Sequence, residues 1–352
     1  MFSKEAFKDI IKKYEYEEIA FLEDKDVGLR AIICIHSTIL GPALGGVRIF
    51  PYQSEKDAVV DVLRLGRAMT YKASAAGLDL GGGKSVIIGD PSKDKNEALL
   101  RAFGKFVDSL NGRYIAAEDV GTGTKDIEVI LQETKHVAGI SEKLGGSGDP
   151  SPVTARGVFS GMKACLREVF GSDSFSGKKI AIQGIAGKVG SHLAELLSQE
   201  GAVLFGSEMN QEAAENLKRK IDFKLVPLDE IYDIEADVFS PCAMGGILNN
   251  NTIPKLKVKI VAGSANNQLL ELEHGNILHQ AGIIYAPDYI INAGGLINVA
   301  HERNPQGYLK KRALADTEKI YERIKSIINV SKKDNIPTYL VADKIAEKRI
   351  NN

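Results

Sequence analysis

The segment that most narrows the possible folds is KKIAIQGIAGKVGSHLAELLSQEGAVLFGSEMN, residues 178–210. It reads strand, glycine turn, helix, strand. Ile180 and Ile182 belong to the first strand, and Val189, Leu193, Leu196 and Leu197 recur at helical spacing between Gly187 and Gly201. Residues 202–208 form the next strand and end on an acid. A helix joining two strands in this way implies a parallel α/β sheet. The glycines Gly184, Gly187 and Gly190 are spaced G-x-x-G-x-x-G. That is one residue longer than the G-x-G-x-x-G of a dinucleotide-binding turn, with Ile185 or Ala186 as the extra residue. A longer turn can still direct N–H groups at a pyrophosphate. Glu208 stands where a carboxylate accepts hydrogen bonds from both adenosine ribose hydroxyls. It would repel a 2′-phosphate, which favours NAD over NADP. The expected coenzyme residues are Gly184, Ile185, Ala186, Gly187, Lys188, Val189, Gly190 and Glu208. The plainer alternative is a nucleotide-free α/β unit with a glycine turn.

A second glycine cluster, GLDLGGGKSVIIGDP (77–91), imitates a phosphate loop but fails the pattern G-x-x-x-x-G-K-[ST] by one residue. Leu78 stands where the first glycine belongs. A helical pattern precedes the cluster, and the β-branched run Val86, Ile87, Ile88 follows it, the reverse of a phosphate cradle. Lys84 therefore leads into a strand and needs another explanation. Upstream, 28–37 reads as a strand and 54–76 as a helix, with Ser54 and Asp57 resembling a capping box. Val59, Val62, Leu63, Gly66 and Met69 form its apolar stripe, and Lys72 lies near that stripe. GRYIAAEDVGTGT (112–124) reads as a short strand and turn with Asp119 at the strand's C-terminal end, where open α/β sheets place ligands.

The turn-rich stretch SEKLGGSGDPSPVTARG (141–157) suggests a linker, with a helix from about Thr154. We expect a first domain over 1–140 and a coenzyme domain over 141–330, with a C-terminal helix (331–352) packing back on the first. In the second half, apolar runs end in ADVFSPCAMGG, KIVAGSANNQ and GIIYAPDYIINAGG, small and amide residues where a nicotinamide and its ribose would lie. With 44% hydrophobic and 26% charged residues and a net charge of −1, the 352-residue chain gives no general reason to bind nucleic acid or an anionic membrane. No apolar run has transmembrane length, and residues 1–20 lack a signal-peptide core. Cys34, Cys165 and Cys242 form no disulfide or CxxC pattern, and the six histidines show no HExxH. A cytoplasmic protein with free thiols and no metal is expected.

Lys72, Lys84 and Asp119, with the glycines of GPALGGVR (41–48), suit an amino-acid substrate. One lysine can stay charged and bind the carboxylate, while the other, partly desolvated beside a cation, can act as a base near neutral pH. Each has a plainer reading. Lys72 could be a surface-reaching helix lysine, Asp119 a turn residue, Thr154 an N-cap, Met69 a core residue, and Asn266 and Asn292 loop anchors.

The motifs GPALGGVR, MTYKASAAGLDLGGGKSVIIGDP, AAEDVGT, GSGDPSPVTARGV, GSANNQL, DYIINAGGLINVA and DNIPTYLVADKIAEKRI resemble, in order, those of the leucine, phenylalanine and valine dehydrogenase family, relatives of glutamate dehydrogenase. The resemblance covers nearly the whole chain. It implies an α/β fold of two domains separated by a cleft, an N-terminal α/β substrate domain and a doubly wound Rossmann NAD-binding domain. It makes Lys84 the base that activates water and Asp119 the proton relay. Lys72 would hold the substrate carboxylate, near the Gly45–Gly46 backbone. Thr154 and Asn292 would sit near nicotinamide and substrate, with Asn266 and Ala243 on the nicotinamide ribose side.

Leu44 stands where the glutamate enzymes resemble GPxKGG, so a substrate carboxylate side chain would lack its partner there. Ala117, Leu296 and Val299 would finish an apolar pocket, with Met69 as a substrate contact. Ala117 and Val299 look leucine-like, and Leu296 more phenylalanine-like. Branched-chain amino acids are expected first and phenylalanine second. The resemblance also implies a homo-oligomer, dimer or octamer. The rivals are a hydroxy-acid dehydrogenase and a non-catalytic NAD-binding regulator on the same fold.

Overall fold

A computed structural model of the chain describes residues 15–351. It divides into two compact units. The first runs through Asp149 and takes in Val299–Leu309 and the residues from Ala346 onward; the second is Pro150–Asn298 with Lys310–Ile345.

The first unit holds β1 (Glu18–Asp24), β2 (Leu29–Ser37), β3 (Ala43–Phe50), α1 (Glu55–Ala75), β4 (Gly81–Ile88), α2 (Glu97–Ser109), β5 (Tyr114–Glu118) and α3 (Thr124–Leu131). Its five-stranded sheet is ordered β1-β2-β4-β3-β5. β2 runs antiparallel to β1 and β4, while β3 runs parallel to β4 and β5. β2 is buried along its length except at Arg30, as its unbroken apolar run requires. α1 begins as expected: the Ser54 side chain accepts from the Asp57 N–H at 3.2 Å and donates to the Asp57 carboxylate at 2.8 Å. Val59, Val62, Leu63 and Gly66 are buried on the helix face that covers the sheet, and Met69 is half-buried. The glycines before Lys84 are part of β4 itself. A Cβ on Gly82 would lie 2.0 Å from the Thr70 nitrogen, so this glycine serves close packing of α1 on the strand, while a Cβ on Gly81 or Gly83 would meet the Ser37 or Cys34 carbonyl oxygen of β2 at 1.9 or 2.7 Å.

The second unit contains α4 (Ser151–Phe170), β6 (Lys179–Gln183), α5 (Lys188–Gln199), β7 (Val203–Ser207), α6 (Gln211–Lys218), β8 (Lys224–Leu225), β9 (Val238–Pro241), β10 (Ile260–Val261), α7 (Glu273–Gln280), β11 (Ile284–Tyr285) and α8 (Asp288–Ile291). There follow α9 (Gly294–Ala300), α10 (Lys310–Glu318), α11 (Ile320–Asp334) and α12 (Thr338–Ile350), of which α9 and α12 end in residues of the first unit. All six strands are parallel, in the order β11-β10-β9-β6-β7-β8. This is the doubly wound Rossmann order, whose switch point lies between β6 and β9. Among the described residues no helix is long and apolar enough to cross a membrane.

The division differs from the sequence expectation in three ways. The break falls at 149/150, and α4 starts at Ser151 with a proline in its first turn. Residues 299–309 return to the first unit because the Glu302 carboxylate accepts the N–H groups of Gly139 (2.9 Å) and Ser147 (2.7 Å). Of the C-terminal helix only the end belongs there: Ser74 donates to the Ala346 carbonyl at 2.8 Å, and Arg349 pairs with Asp79 at 2.6 Å. α10 and α11 instead pack on α4. Such returns depend on tertiary partners that local patterning does not encode.

Candidate active site

In the first unit, register assembles the chemistry. Leu44 pairs with Gly82 and Val47 with Ser85, which sets Gly46 beside Lys84; Gly46 pairs with Ala117 on the other side. Paired strand residues face the same way, so Leu44, Gly46, Arg48, Lys84 and Ala117 share one face. Lys84 is 5% exposed, and Leu44 and Ala117 are buried. Lys84 Nζ lies 2.7 Å from Asp119 Oδ2. Asp119, just past β5, is anchored by its own N–H, which donates to Thr122 Oγ1 at 2.9 Å; that hydroxyl donates to the Val47 carbonyl at 2.8 Å. Gly46 makes the room, since a Cβ there would lie 2.7 Å from Asp119 Cβ and 3.1 Å from Lys84 Nζ.

Residues the sequence reading passed over complete the cluster. Arg48 Nε donates to Asp119 Oδ2 at 2.9 Å, and its Nη1 donates to Asp61 Oδ2 at 2.8 Å. The Tyr52 hydroxyl donates to the same Asp61 oxygen at 2.7 Å. Arg48 lay inside GPALGGVR, two residues beyond Gly46, so the strand period alone would have aimed it at the same face. Asp61 gave no comparable signal.

Burial is the largest influence on Lys84 and lowers its pKa below the ordinary lysine value; Asp119 pulls the other way. The cation acting on it most strongly is Arg48, a part the sequence reading gave to Lys72. Burial works to raise the Asp119 pKa, but Lys84 and Arg48 outweigh it and hold the carboxyl below its usual value. The pair thus sets an ionised carboxylate against an amine that holds its proton less tightly than a free lysine does. Lys72 is half-buried in the last turn of α1.

In the second unit, the chain leaves β6 at Gly184, with φ at +74°, and its N–H donates to the Ser207 carbonyl at 2.8 Å. Gly190 faces that turn; a Cβ on it would lie 2.1 Å from the Gly184 carbonyl oxygen. The extra residue points inward. Ile185 is fully buried above Gly206, where a Cβ would lie 2.6 Å from Ile185 Cδ1. The insertion therefore pins the turn to β7 and leaves the helix start intact. α5 opens at Gly187 without a side-chain cap, so its first-turn N–H groups, beginning with Lys188 and Val189, suit a phosphate. The Glu208 carboxylate accepts from the Ala186 (3.1 Å), Met209 (2.9 Å) and Asn210 (3.0 Å) N–H groups, joining the turn to the end of β7. Beside it opens an apolar groove of about 470 Å³ lined by Glu208, Met209, Gln211, Leu225, Val226, Pro227 and Leu228.

Ala243 is exposed beside Gly184, past β9. Asn292 Nδ2 donates to Asn266 Oδ1 at 2.8 Å and to the Ser264 carbonyl at 3.1 Å, while its own buried Oδ1 has no partner. That orphaned acceptor fits a donor on a bound molecule. Thr154 lies inside the first turn of α4, its hydroxyl bonded to the Pro150 carbonyl at 3.0 Å, and is not the N-cap. A Cβ on Gly295 would lie 2.7 Å from that hydroxyl. Leu296 and Val299 are both buried. The donors and the cradle fit a dinucleotide.

A parallel Rossmann sheet with this turn in one unit, and a buried lysine–carboxylate pair in the other, place the chain in the class of two-domain α/β proteins with a dinucleotide-binding fold. Residues 17–136 match the family described as Glu/Leu/Phe/Val dehydrogenase, dimerisation domain, and residues 145–210 and 203–348 match Glutamate/Leucine/Phenylalanine/Valine dehydrogenase. The chain belongs to this family and is an amino-acid dehydrogenase. It is 55% identical to leucine dehydrogenase of Geobacillus stearothermophilus over 346 residues, 98% of this chain and 93% of that protein. To phenylalanine dehydrogenase of Lysinibacillus sphaericus it is 50% identical, covering 99% and 92%. The crystal structure of L-tryptophan dehydrogenase from Nostoc punctiforme superposes with a TM-score of 0.86 at 43% identity, covering 98% and 99%.

Proposed function

We propose that this enzyme catalyses the reversible NAD-dependent oxidative deamination of a branched-chain L-amino acid to its 2-oxo acid and ammonia, as a cytoplasmic homo-oligomer. The observation that carries the reading is the buried Lys84 amine 2.7 Å from Asp119, with its pKa lowered by burial.

NAD, held by Gly184–Gly190, Glu208, Ala243 and Asn266, would take the hydrogen and electron pair that leave the substrate Cα. Lys72 holds the substrate carboxylate as a fixed cation. Neutral Lys84 accepts a proton from water as the oxygen adds to the imino carbon, and Asp119 stabilises the cation so formed. Lys84 returns that proton to the nitrogen and then takes the proton of the new hydroxyl as the C–N bond breaks, so that ammonia leaves and the carbonyl of the 2-oxo acid remains. Thr154 and Asn292 orient the reacting groups. Leu44 and Ala117, buried on the face that carries Lys84, offer an apolar wall without a partner for a substrate carboxylate; the family resemblance adds Leu296, Val299 and Met69 as further substrate contacts. The likeness to leucine dehydrogenase and the match to a dimerisation domain support the substrate and the oligomer.

The test is reduction of NAD with a panel of L-amino acids. Leucine, valine and isoleucine should be turned over well, phenylalanine less well and glutamate hardly at all, with NADP a poor substitute. Preference for glutamate or for NADP would refute the reading of Leu44 or of Glu208, and a light-scattering mass of one chain would refute the oligomer.

A further inference from the structure

Both hydrogen bonds to the Asp119 side chain end on Oδ2, one from Lys84 and one from Arg48. Arg48 is itself held, through Nη1, by Asp61, which also accepts from Tyr52 and lies 3.4 Å from Arg64. We propose that Arg48, fixed by Asp61 and Tyr52, is a positioning residue: it occupies one oxygen of Asp119, leaves the other for the substrate, and carries the permanent positive charge against which Lys84 gives up its proton. This deepens, and rests on, the reading of Lys84 as the base.

An isolated buried lysine–aspartate pair resists losing the lysine proton, because the loss strands a carboxylate in a poor solvent. A guanidinium is charged at every working pH and has donors enough to bridge two carboxylates. Here two guanidiniums, Arg48 and the exposed Arg64, face two carboxylates, Asp119 and Asp61. The chain of charges is therefore balanced when Lys84 is neutral. On the strands next to Lys84 two titratable groups stay uncharged. β2 sets Cys34 opposite it, with a thiol pKa pushed far up by burial. β5 brings Tyr114, also pushed up by burial, whose hydroxyl bonds the Gly45 carbonyl and Ser85. From α1 come Asp61, Arg64 and, in its last turn, Lys72.

The test follows kcat/KM for L-leucine against pH in the full-length enzyme. Arg48→Gln should move the acid limb upward by about one pH unit, because an opposite-charge partner is removed from Asp119 and a like charge from Lys84. Asp61→Asn should move it downward, because the carboxylate that favours protonated Lys84 is gone. Arg48→Lys, which keeps the charge but not both bonds, should return the limb toward wild type with kcat still low. A lesion that only loosens the fold lowers the plateau without shifting the limb in opposite directions. In parallel, the titration of Lys84 is read directly by carbon-13 NMR of ε-labelled lysine, which needs no turnover. Wild-type enzyme inactive on every amino acid would sink the function proposed above. An unchanged Lys84 titration in Arg48→Gln, or shifts of the same sign in both variants, would overturn the role of Arg48. If Arg48→Gln does not fold, Arg48→Lys against wild type decides: a lowered kcat with the limb near wild type supports the role, and wild-type kcat overturns it.

Discussion

Replacing Gly46 with alanine introduces a methyl group where Lys84 and Asp119 need space. It would stand 2.7 Å from Asp119 Cβ, 2.9 Å from the Glu118 carbonyl oxygen and 3.1 Å from Lys84 Nζ. Carbon atoms settle about 3.5–4.0 Å apart, so the end of β5 must retreat by roughly 1 Å. Overpacking of this kind costs about 1–3 kcal/mol. A domain stable by about 5–15 kcal/mol tolerates that loss and folds. Catalysis suffers more, since a misplacement of about 1 Å costs on the order of 100-fold in rate. The variant should therefore fold with a lowered Tm, bind NAD as wild type does, and lose about 100-fold in kcat/KM for L-leucine. Steady-state kinetics, a fluorescence titration with NADH and thermal unfolding measure the three quantities. Wild-type kcat/KM in Gly46→Ala would refute the claim that this glycine makes room for the reacting pair. Loss of coenzyme affinity together with activity would refute the division of labour between the units.

Two further outcomes follow from the same geometry. Gly190→Ala sets a Cβ 2.1 Å from the Gly184 carbonyl, so NADH binding by fluorescence should be lost while the protein remains folded by circular dichroism. Asp119 has a folded pKa below its unfolded value near 3.8, so its contribution to stability is complete above that value and fades as pH falls through the lower folded value. Denaturant unfolding of Asp119→Asn should therefore show a shallower loss of stability in that acid window than wild type.

The parts of the molecule that could be read from sequence are those where a local pattern fixes the structure. The run from β6 to Glu208 was legible because a buried strand, a glycine turn and a helix each leave a periodic trace, and the parallel sheet followed from them. Lys84 drew notice because its glycines lead into a strand, and Asp119 because it follows the end of one; the structure sets the two 2.7 Å apart, but the roles given to them came from the family resemblance. The function of the extra turn residue was not legible. That Ile185 packs over Gly206 depends on β7 lying alongside β6. Arg48 was hidden for a related reason: its two carboxylates come from an α1 residue 13 positions later and a loop residue 71 positions later, and only the packed sheet brings them together. The return of residues 299–309 hangs on the two hydrogen bonds accepted by Glu302, which no periodicity announces.

The most direct measurement compares wild type with Lys84→Ala, reading NAD reduction with L-leucine and NAD affinity side by side. A general base of this kind contributes about 10²–10⁴-fold, so turnover should fall by at least that much while the dissociation constant for NAD stays where it was. Turnover near the wild-type rate would contradict the assignment of Lys84 as the base, and loss of NAD binding would contradict its place in the substrate unit.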